Sequence, residues 1–425
     1  MSKNENSVAK TKNLIQITIT PRDPLILRDG RPFGAGSEGA NRARSLDWFY
    51  PSTVAGAVRT LTGKLKAERN SVDKKTSNPF HNVGFLDRLK KIVVRGPLPL
   101  IDGMLYVPRP LDFLEYESGR RVGLRPGVLL EGEGCDLPHP DLRPIDVPLT
   151  GKAAQMSSFW SMETIADWLA QDVKKGFPLG QILNGFEKDK RVHVKMKAAA
   201  GISDESQLFI TQGLAIPDIS FQPKNIASRP RECPTLKSTH IALLIKAPDT
   251  GMESLLSTVD TLQPLGGERR LARFRSHNPV TSWDCPVEIQ EALKRTTGIR
   301  MFLATPAFFQ NGWFPDWIDS KTLEGTPPGT RGLLLRLCSG CVGRWKALSG
   351  WSMEKGKRGP KPVKRLAPAG SVYFFEVLEG AAEALADLWL RSAMNKNNSQ
   401  DDTSNHNEVN DGFGLALWGV WNIDA

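Results

Sequence analysis

The chain has 425 residues, of which 40% are hydrophobic and 24% charged, and this ordinary globular composition excludes a wholly disordered or fibrous protein. The length predicts two domains with large insertions. An excess of 56 Lys and Arg over 46 Asp and Glu residues gives a net charge of +10, which favours a polyanionic partner.

The sequence also bears on the compartment in which the protein works. Residues 1–13 are polar and include lysines, and no run approaches the ~18 apolar residues that a membrane span needs. The five cysteines are scattered and odd in number, which is typical of reduced thiols. We therefore expect a cytoplasmic protein that makes no membrane contact.

The chain begins with a predicted strand, a glycine-bearing loop and a helix. Residues 14–20 alternate apolar and polar side chains, the pattern of a half-buried strand. The following loop has a turn at residues 29–30 and further glycines, which permit backbone conformations closed to other residues. From Pro51 the apolar residues share one helical stripe, and Ser52 or Thr53 can cap the first turn.

The rest of the first half predicts short strands, one helix and one hairpin. The strands are expected at 92–94 and 104–107, an inserted loop at 119–148, and the helix at 159–172 with Ser161 as its N-cap. Residues 191–196 and 206–211 alternate on either side of a polar connection, as the strands of a hairpin do. A projecting hairpin with basic strands can reach a ligand.

The second half predicts another series of strands and helices around a glycine loop at 265–270. The elements are a buried strand from about residue 238, a helix over 253–262, strands at 300–305, 333–337, 372–377 and 415–421, an Ala-rich helix at 381–394, and a mobile loop at 395–411. Each half is α+β, with a few helices covering one side of an antiparallel sheet. We place the domains at 1–235 and 236–425.

The segment from Arg344 to Arg365 is basic and contains two tryptophans. Cations neutralise phosphates while aromatic faces stack on unpaired bases, so this mixture favours RNA. A solvated basic loop is the alternative interpretation. The segment has one acid, Glu354, the tryptophans Trp345 and Trp351, and the basic residues Arg344, Lys346, Lys355, Lys357, Arg358, Lys361, Lys364 and Arg365.

The run Gly266-Gly267-Glu268-Arg269-Arg270 is a second candidate for anion binding. Exposed backbone N–H groups stand beside two guanidinium forks, whose geometry matches phosphate. Arg273 and Arg275 add positive charge further along. The alternative is a helix C-cap followed by surface arginines.

Two further features contain residue types that take part in catalysis or metal binding. His193 can act as acid or base in RNA cleavage, yet a cleaver needs a partner group, and no second histidine lies near it in sequence. Cys338 and Cys341 form a CxxC, which fits half a zinc site, a redox pair or two buried thiols. Motifs for nucleotide hydrolysis, serine hydrolysis or metalloprotease chemistry do not stand out, so we expect no enzyme activity, no metal and no cofactor.

Seven segments in order across nearly the whole chain resemble one known family, the third subunit of the type III-B CRISPR (Cmr) complex within the RAMP superfamily. Each is unspecific alone, but their order and spacing are specific. They are LRDGRPFG (27–34), YPSTVAGAVRT (50–60), SSFWSMETIADWL (157–169), RVHVKM with SQLF (191–209), LGGERR (265–270), PAGSVYFFEV (368–377) and GFGLALWGVW (412–421).

The resemblance implies tandem ferredoxin-like, RRM-related domains without nuclease activity. Such subunits bind the 5′ tag of the guide RNA, dock the large polymerase-like subunit at the foot of the complex and meet the first backbone RAMP subunit. Target RNA is then read only indirectly, through base pairing with the guide.

The same resemblance suggests where RNA is contacted. It implies contact at Arg28, Arg31, Gly34, Ser52, Thr53, Arg59, Arg191, His193, Gly267, Arg269 and Arg270. Basic composition adds Arg273, Lys357, Lys361, Lys364 and Arg365.

Three functions remain open at this point. The first is a scaffold that binds the guide tag and leaves RNA intact. The second is a RAMP-type endoribonuclease that processes CRISPR repeat RNA with His193 as acid or base. The third is a purely protein-binding module, in which the basic loops have no role.

Overall fold

The structure is a computed structural model. It describes residues 14–28, 42–70, 80, 82–128, 132, 134–148, 150–171, 176–197, 202–217, 219–222, 235–352, 358–395 and 408–423. The predicted site residues Arg31, Gly34 and Lys357, and residues 396–407 of the predicted mobile loop, lie outside these ranges.

Helices are few and mostly short. In the described ranges they are α1 Pro51–Asn70, α2 Val83–Lys90, α3 Met162–Ala170, α4 Thr250–Leu256, α5 Val287–Leu293 and α6 Glu408–Asp411, with 3₁₀ helices at Thr281–Trp283 and Ala382–Leu388. No helix in the described part of the chain is long and apolar enough to cross a membrane.

Strands make up most of the regular structure. In the first half they are β1 Leu14–Pro21, β2 Arg42–Ala43, β3 Val93–Ile101, β4 Met104–Pro108, β5 Phe113–Glu115, β6 Arg121–Gly123, β7 Arg125–Pro126, β8 Ile145–Asp146, β9 Phe159–Ser161, β10 Ile182–Leu183, β11 Lys188–Lys197, β12 Ile202–Leu214 and β13 Ile219–Gln222. In the second half they are β14 Thr235–Lys246, β15 Asp260–Pro264, β16 Leu271–His277, β17 Gly298–Leu303, β18 Glu324–Gly325, β19 Leu334–Cys341, β20 Lys346–Leu348, β21 Trp351–Ser352, β22 Gly359–Pro360, β23 Lys364–Leu366, β24 Val372–Glu379, β25 Arg391–Ser392 and β26 Leu415–Val420.

The first sheet is antiparallel and has the order β10-β9-β4-β3-β14-β1-β16-β15, with β13 paired to β14. Its first strand alternates as the sequence predicts but is not half-buried, because Gln16 and Thr18 on the other face are buried too. Ile15, Ile17 and Ile19 turn to one face, where they pack with the apolar stripe of α1. Both α1 and α4 contribute to that core, which buries the helix-covered face of the sheet.

The second sheet has the order β18-β19-β24-β17-β26-β25 and is also antiparallel. Its four long strands, β19-β24-β17-β26, repeat the arrangement of β3-β14-β1-β16. In each set the first strand in sequence lies between the third and the fourth. The 304–333 segment, which is fully described, has no helix where α1 stands in the first unit.

A shared core joins the two units. The face of the first sheet that points away from α1 contributes Leu98, Leu100 and Leu244 to a cluster that also contains the second sheet. Within this cluster Arg300 and Asp112 are fully buried and their side chains meet at 3.1 Å. The two units are therefore packed against each other through apolar and charged contacts.

The predicted boundary between residues 235 and 236 does not separate the two sheets. β14 and β16 flank β1 on its two sides, so the first sheet uses strands from both sides of that boundary. The division between sheets falls instead between β16 and β17. The physical reason is that β1 buries both of its edges only when these later strands pair with it.

Three predicted helices are shorter than expected. The helix predicted at 159–172 is α3, Met162–Ala170, because residues 159–161 pair as β9. The helix at 253–262 is α4, which starts after its cap Asp249 and ends at Leu256, because the residues from Asp260 pair with β16 as β15. The helix at 381–394 is a 3₁₀ helix that ends at Leu388, and Leu390 then takes a left-handed φ of 51°. By contrast, Ser161 caps α3 as predicted, by accepting from the Thr164 amide.

The predicted inserted loop at 119–148 contains short strands and is partly docked. β7 pairs with β8, and the Arg143 amide donates to the Cys338 carbonyl at 2.8 Å. Ser339 Oγ donates to the Arg143 carbonyl at 2.7 Å. This part of the insertion therefore lies against the second sheet.

Candidate nucleic-acid interface

The glycine loop at 265–270 is a tight turn between β15 and β16. Glu268 and Arg269 both have left-handed φ values, 55° and 51°, and the Leu265 amide donates to the Arg270 carbonyl at 2.8 Å. This is a hairpin turn, so the helix C-cap alternative is wrong. The turn presents Arg269 to solvent.

Gly266 and Gly267 permit this turn to touch the segment that follows β1. Gly266 has a φ of 76°, and a Cβ there would lie 2.7 Å from the Ile26 carbonyl oxygen. The Gly267 amide donates to that same oxygen at 2.7 Å. Only glycine fits at position 266, because both the backbone angle and the close approach exclude a side chain.

The segment around Ile26 also joins the hairpin of β11 and β12. Leu25 and Leu214 exchange two backbone hydrogen bonds, at 2.9 and 2.7 Å. Three residues after Leu25, Arg28 bridges to Ser45. The segment from Leu25 to Arg28, the glycine turn and the base of the hairpin therefore form one backbone ladder.

The predicted hairpin is present as β11 and β12, with Arg191 opposite Thr211 and His193 opposite Phe209. His193 Nε2 lies 2.7 Å from Thr211 Oγ1, and its ring stacks on Phe209 with centroids 4.9 Å apart. Arg191 Nε donates to Asp189 at 2.6 Å. This face is polar and aromatic, with a histidine held between a hydroxyl and a ring.

The opposite face of the hairpin is apolar and open. Val192 is 64% exposed and Leu208 57%, and Val194 and Met196 are also exposed. Exposed apolar side chains on both strands of one hairpin are unusual for a monomer and mark an interaction surface.

Several arginines surround the ladder, in different states of pairing. Arg44 and Arg269 are exposed, and Arg270 lies 3.3 Å from Glu268. Arg273 holds Asp260 with two hydrogen bonds of 2.7 and 2.9 Å. The pairing lowers the pKa of Asp260 and raises the pKa of Arg273. Arg273 is thus half-exposed but already engaged by a carboxylate.

The start of α1 follows closely on Ser45, which bridges to Arg28. Ser52 and Thr53 are half-buried, and the first turn of α1 carries no acid that would compete with an anion. Tyr50 Oη donates to the Ala347 carbonyl at 3.0 Å, which ties this helix start to the basic segment of the second unit.

Arg59 has a structural role that the sequence did not reveal. Its guanidinium lies 2.5 Å from Asp411 and donates to the carbonyls of Leu89 and Ile92 at 3.1 and 3.2 Å. The side chain is 13% exposed. A guanidinium already surrounded by a carboxylate and two carbonyls is poorly placed for RNA, so we leave Arg59 out of the interface.

The basic segment forms a small hairpin of β20 and β23. Lys364 pairs with Glu408 at 2.5 Å and lies over the Phe308 ring. Arg365 lies over the Trp345 ring, 5.0 Å from its centroid, and Lys361 is exposed. The described parts of the segment thus contain paired strands and side-chain contacts, and Arg365 and Lys361 are exposed.

The CxxC cysteines have the character of buried thiols. Burial raises the pKa of Cys338 to about 11 and also raises the pKa of Cys341. Within the described ranges, no group of three or more His, Cys, Asp or Glu side chains is arranged to hold a metal ion.

Sequence reasoning missed some neighbours of the site. Arg44 and Ser45 carry no motif, and only the pairing with Arg28 places them there. Two histidines on the first sheet were also missed, His240 and His277, which lie 2.8 Å from Thr20 and Thr18 respectively. Alternation along β1 was the available signal, but it does not identify the strands beside it.

The described part of the chain thus consists of two antiparallel α+β units that carry basic hairpins and a glycine turn. The sequence matches the family described as CRISPR-associated protein (Cas_Cmr3) over residues 17–421. The chain belongs to this family.

Solved structures give more distant likenesses. A chain in the cryo-EM structure of the type III-B Cmr-beta complex bound to cognate target RNA and AMPPnP has a TM-score of 0.45 and 11% identity, covering 84% of this chain and 86% of that one. A chain in the crystal structure of the type III-A Csm3–Csm4 subcomplex has a TM-score of 0.37 and 10% identity, covering 86% and 94%. No curated protein matches the sequence.

Proposed function

We propose that the chain is a non-catalytic RNA-binding subunit of a type III-B CRISPR effector complex, and that it binds the 5′ tag of the guide RNA. The observation that carries this proposal is the backbone ladder that joins Ile26, the glycine turn and the hairpin into one basic surface. Family membership over residues 17–421 supports the assignment to CRISPR machinery.

The ladder has the chemistry of an RNA backbone site. Arginine forks pair with phosphate oxygens, and left-handed turns direct backbone N–H groups outward. Arg28, Arg191, Arg269 and Arg270 would neutralise phosphates, while the ring pair of His193 and Phe209 offers a surface for a base. Sequence recognition of the target is left to guide base pairing, so target RNA meets this subunit only indirectly.

The fold proposed for this role is a tandem of ferredoxin-like, RRM-related units. The supporting observation is the strand order, in which β3-β14-β1-β16 and β19-β24-β17-β26 follow the same second-third-first-fourth pattern. Helices α1 and α4 occupy the two crossover positions of the first unit. The second unit keeps only the later crossover, as a 3₁₀ helix.

The proposed protein partners are the large polymerase-like subunit and the first backbone RAMP subunit. The open apolar face of the hairpin, with Val192, Val194, Met196 and Leu208, supports docking of at least one of them.

The scaffold role is favoured over RNA cleavage by the surroundings of His193. In the described part of the chain its side chain contacts Thr211 and Phe209, neither of which titrates in the physiological range. Cleavage needs a second acid or base and a group that stabilises the phosphorane.

The test is binding of the purified chain, with and without the large subunit, to guide RNA with its 5′ tag and to RNA with that tag scrambled, over a salt series. We expect tighter binding of tagged RNA, no cleavage, and a salt slope reduced by ~0.7 for each phosphate contact removed. Arg269→Ala is the test variant and Arg295→Ala, exposed on the second unit, is the matched control. Equal affinity for both RNAs would overturn tag recognition, and cleavage lost in His193→Ala would establish the nuclease instead.

A further inference from the structure

A pocket of about 460 Å³ lies between the docked part of the insertion and the second sheet. Its apolar floor includes Leu142, Ile145 and Leu366. The floor is firmly built, because the backbone around Arg143 is hydrogen-bonded to Cys338 and Ser339 of β19. The pocket therefore has a fixed shape set by two parts of the chain that are distant in sequence.

Aromatic rings form the upper wall of this pocket. Trp345 lines it and is 51% exposed, which is a large open area for an indole. The Arg365 guanidinium lies over the Trp345 ring at 5.0 Å, and Trp313 lines the pocket from another segment. The exposed indole of Trp345 offers a flat face on which another planar group can stack.

The charge of the lining is entirely positive. Arg143, Arg344 and Arg365 line the pocket, and its described lining includes neither Asp nor Glu. An apolar floor below three guanidinium groups suits a ligand with a flat apolar body and an anionic end.

The pocket is also linked to the start of α1, where Ser52 and Thr53 are predicted RNA contacts. Arg344 and Trp345 directly precede β20, and Ala347 in β20 accepts a hydrogen bond from Tyr50 at the start of α1. A strand that passes Ser52 and Thr53 would therefore reach the rim of the pocket.

We propose that this pocket binds an unpaired nucleotide, with its base stacked against Trp345 and its phosphate held by Arg344 and Arg365. The chemistry is shared by a nucleotide flipped out of bound RNA and by a free mononucleotide. The inference rests on the proposed function only for the RNA source, because the pocket and the glycine turn are separate sites.

The experiment uses the full chain with three probes: a short single-stranded RNA, the same RNA with one abasic position, and AMP or UMP alone. Trp345→Ala removes the stacking surface, Trp345→Phe restores a ring, and Arg295→Ala is again the control outside the site. RNA carrying 5-iodouridine is also crosslinked, and the attached peptide is identified by mass spectrometry.

We expect Trp345→Ala to weaken RNA binding about five- to 100-fold, the loss that removal of one base stack produces. Trp345→Phe should recover most of the lost affinity, Arg295→Ala should change affinity less than about twofold, and the abasic RNA should bind the native chain more weakly than intact RNA. The crosslink should fall on the peptide that holds Trp345. Binding of AMP or UMP at similar strength would identify a free nucleotide as ligand, whereas RNA binding alone identifies a flipped base.

Two results would overturn the proposal that this pocket binds a nucleotide. One is equal affinity for intact and abasic RNA together with an unaffected Trp345→Ala variant. The other is a Trp345→Ala variant that loses binding of the large subunit while its RNA affinity is unchanged, because the pocket then receives a protein side chain. If tag recognition fails but the crosslink at Trp345 is retained, the tag proposal is rejected. The proposal of a nucleotide pocket is then still supported.

Discussion

The two units of this protein share a strand order but differ in what covers the sheet. In the first, the 20-residue helix α1 packs against β1 through its apolar stripe. In the second, aromatic residues of the irregular 304–333 segment pack against the sheet instead. Trp317 stacks on Phe375 with ring centroids 5.2 Å apart. The strand order therefore persists without the first helix, provided that enough apolar area is buried.

The same comparison extends to the basic hairpins. Both hairpins lie in the connection between the second and third strands of their unit, β11 and β12 before β14, and β20 and β23 before β24. The first hairpin leaves an apolar face open, whereas the second is tied down by Tyr50 and Glu408. One connection thus supplies a projecting surface and the other a fixed pocket wall.

The largest expected effect comes from breaking the buried charge contact that unites the units. Asp112→Ala leaves Arg300 buried without its carboxylate and removes the acceptor of the Trp168 indole, bonded at 2.9 Å. We expect a loss of about 3–5 kcal/mol in the free energy of unfolding, measured by chemical denaturation. Glu117→Ala, which removes an exposed pair with Lys152, is the control and should cost less than ~1 kcal/mol. Similar losses in both variants would contradict a central role for Asp112.

A second link between the units is Arg59 with Asp411. Arg59→Ala should cost about 2–4 kcal/mol, because Asp411 is left in a site where burial already raises its pKa. The salt slope of RNA binding should be the same as in the native chain. A salt slope lower by ~0.7, with an unchanged free energy of unfolding, would show that Arg59 contacts RNA after all.

The glycine turn offers a smaller and more specific test. Gly266→Ala meets both a positive φ and a backbone oxygen at 2.7 Å, whereas Gly103, with a φ of 82°, has open space around it. Gly103→Ala should cost about 1–2 kcal/mol from the backbone angle alone, and Gly266→Ala should cost more and also weaken RNA binding. Thermal unfolding and RNA titration of both variants measure the difference. Equal effects would show that contact with Ile26 is unimportant.

The smallest expected effect is on reactivity and leaves the fold unchanged. Cys135 is exposed, whereas burial raises the pKa of Cys338 to about 11 and of Cys285 to about 12. Since the thiolate is the reactive form, alkylation at pH 8 should label Cys135 well before the other two. Raising the pH toward 10 should reduce the difference in alkylation rate between Cys135 and the two buried cysteines. Peptide mass spectrometry over time measures each site, and rapid labelling of Cys338 at pH 8 would argue against its burial.

Local signals predicted much of what is local in this fold. The alternation in β1, the stripe of α1, the Ser161 cap and the β11–β12 hairpin all follow from neighbouring residues. The pairing of strands that are distant in sequence does not follow from neighbouring residues. The partners of β1 lie more than 200 residues away, and no pattern within β1 identifies them.

In the candidate site, too, local features are predictable from the sequence and long-range contacts are not. The glycine turn was predictable from its residues, but its contact with Ile26 depends on the closed sheet. RNA contact at Arg59 is predicted through the family resemblance alone, whereas its contact with Asp411 depends on the fold.

The position of β14 and β16 beside β1 has a consequence for how the protein is made. During synthesis β1 emerges first, yet Ile17 meets Leu243 and Ser276 only after most of the chain has left the ribosome. Contacts of such high sequence separation form slowly, and until then β1 keeps two open edges. The nascent first half therefore depends on protection from aggregation until residue 277 has been translated.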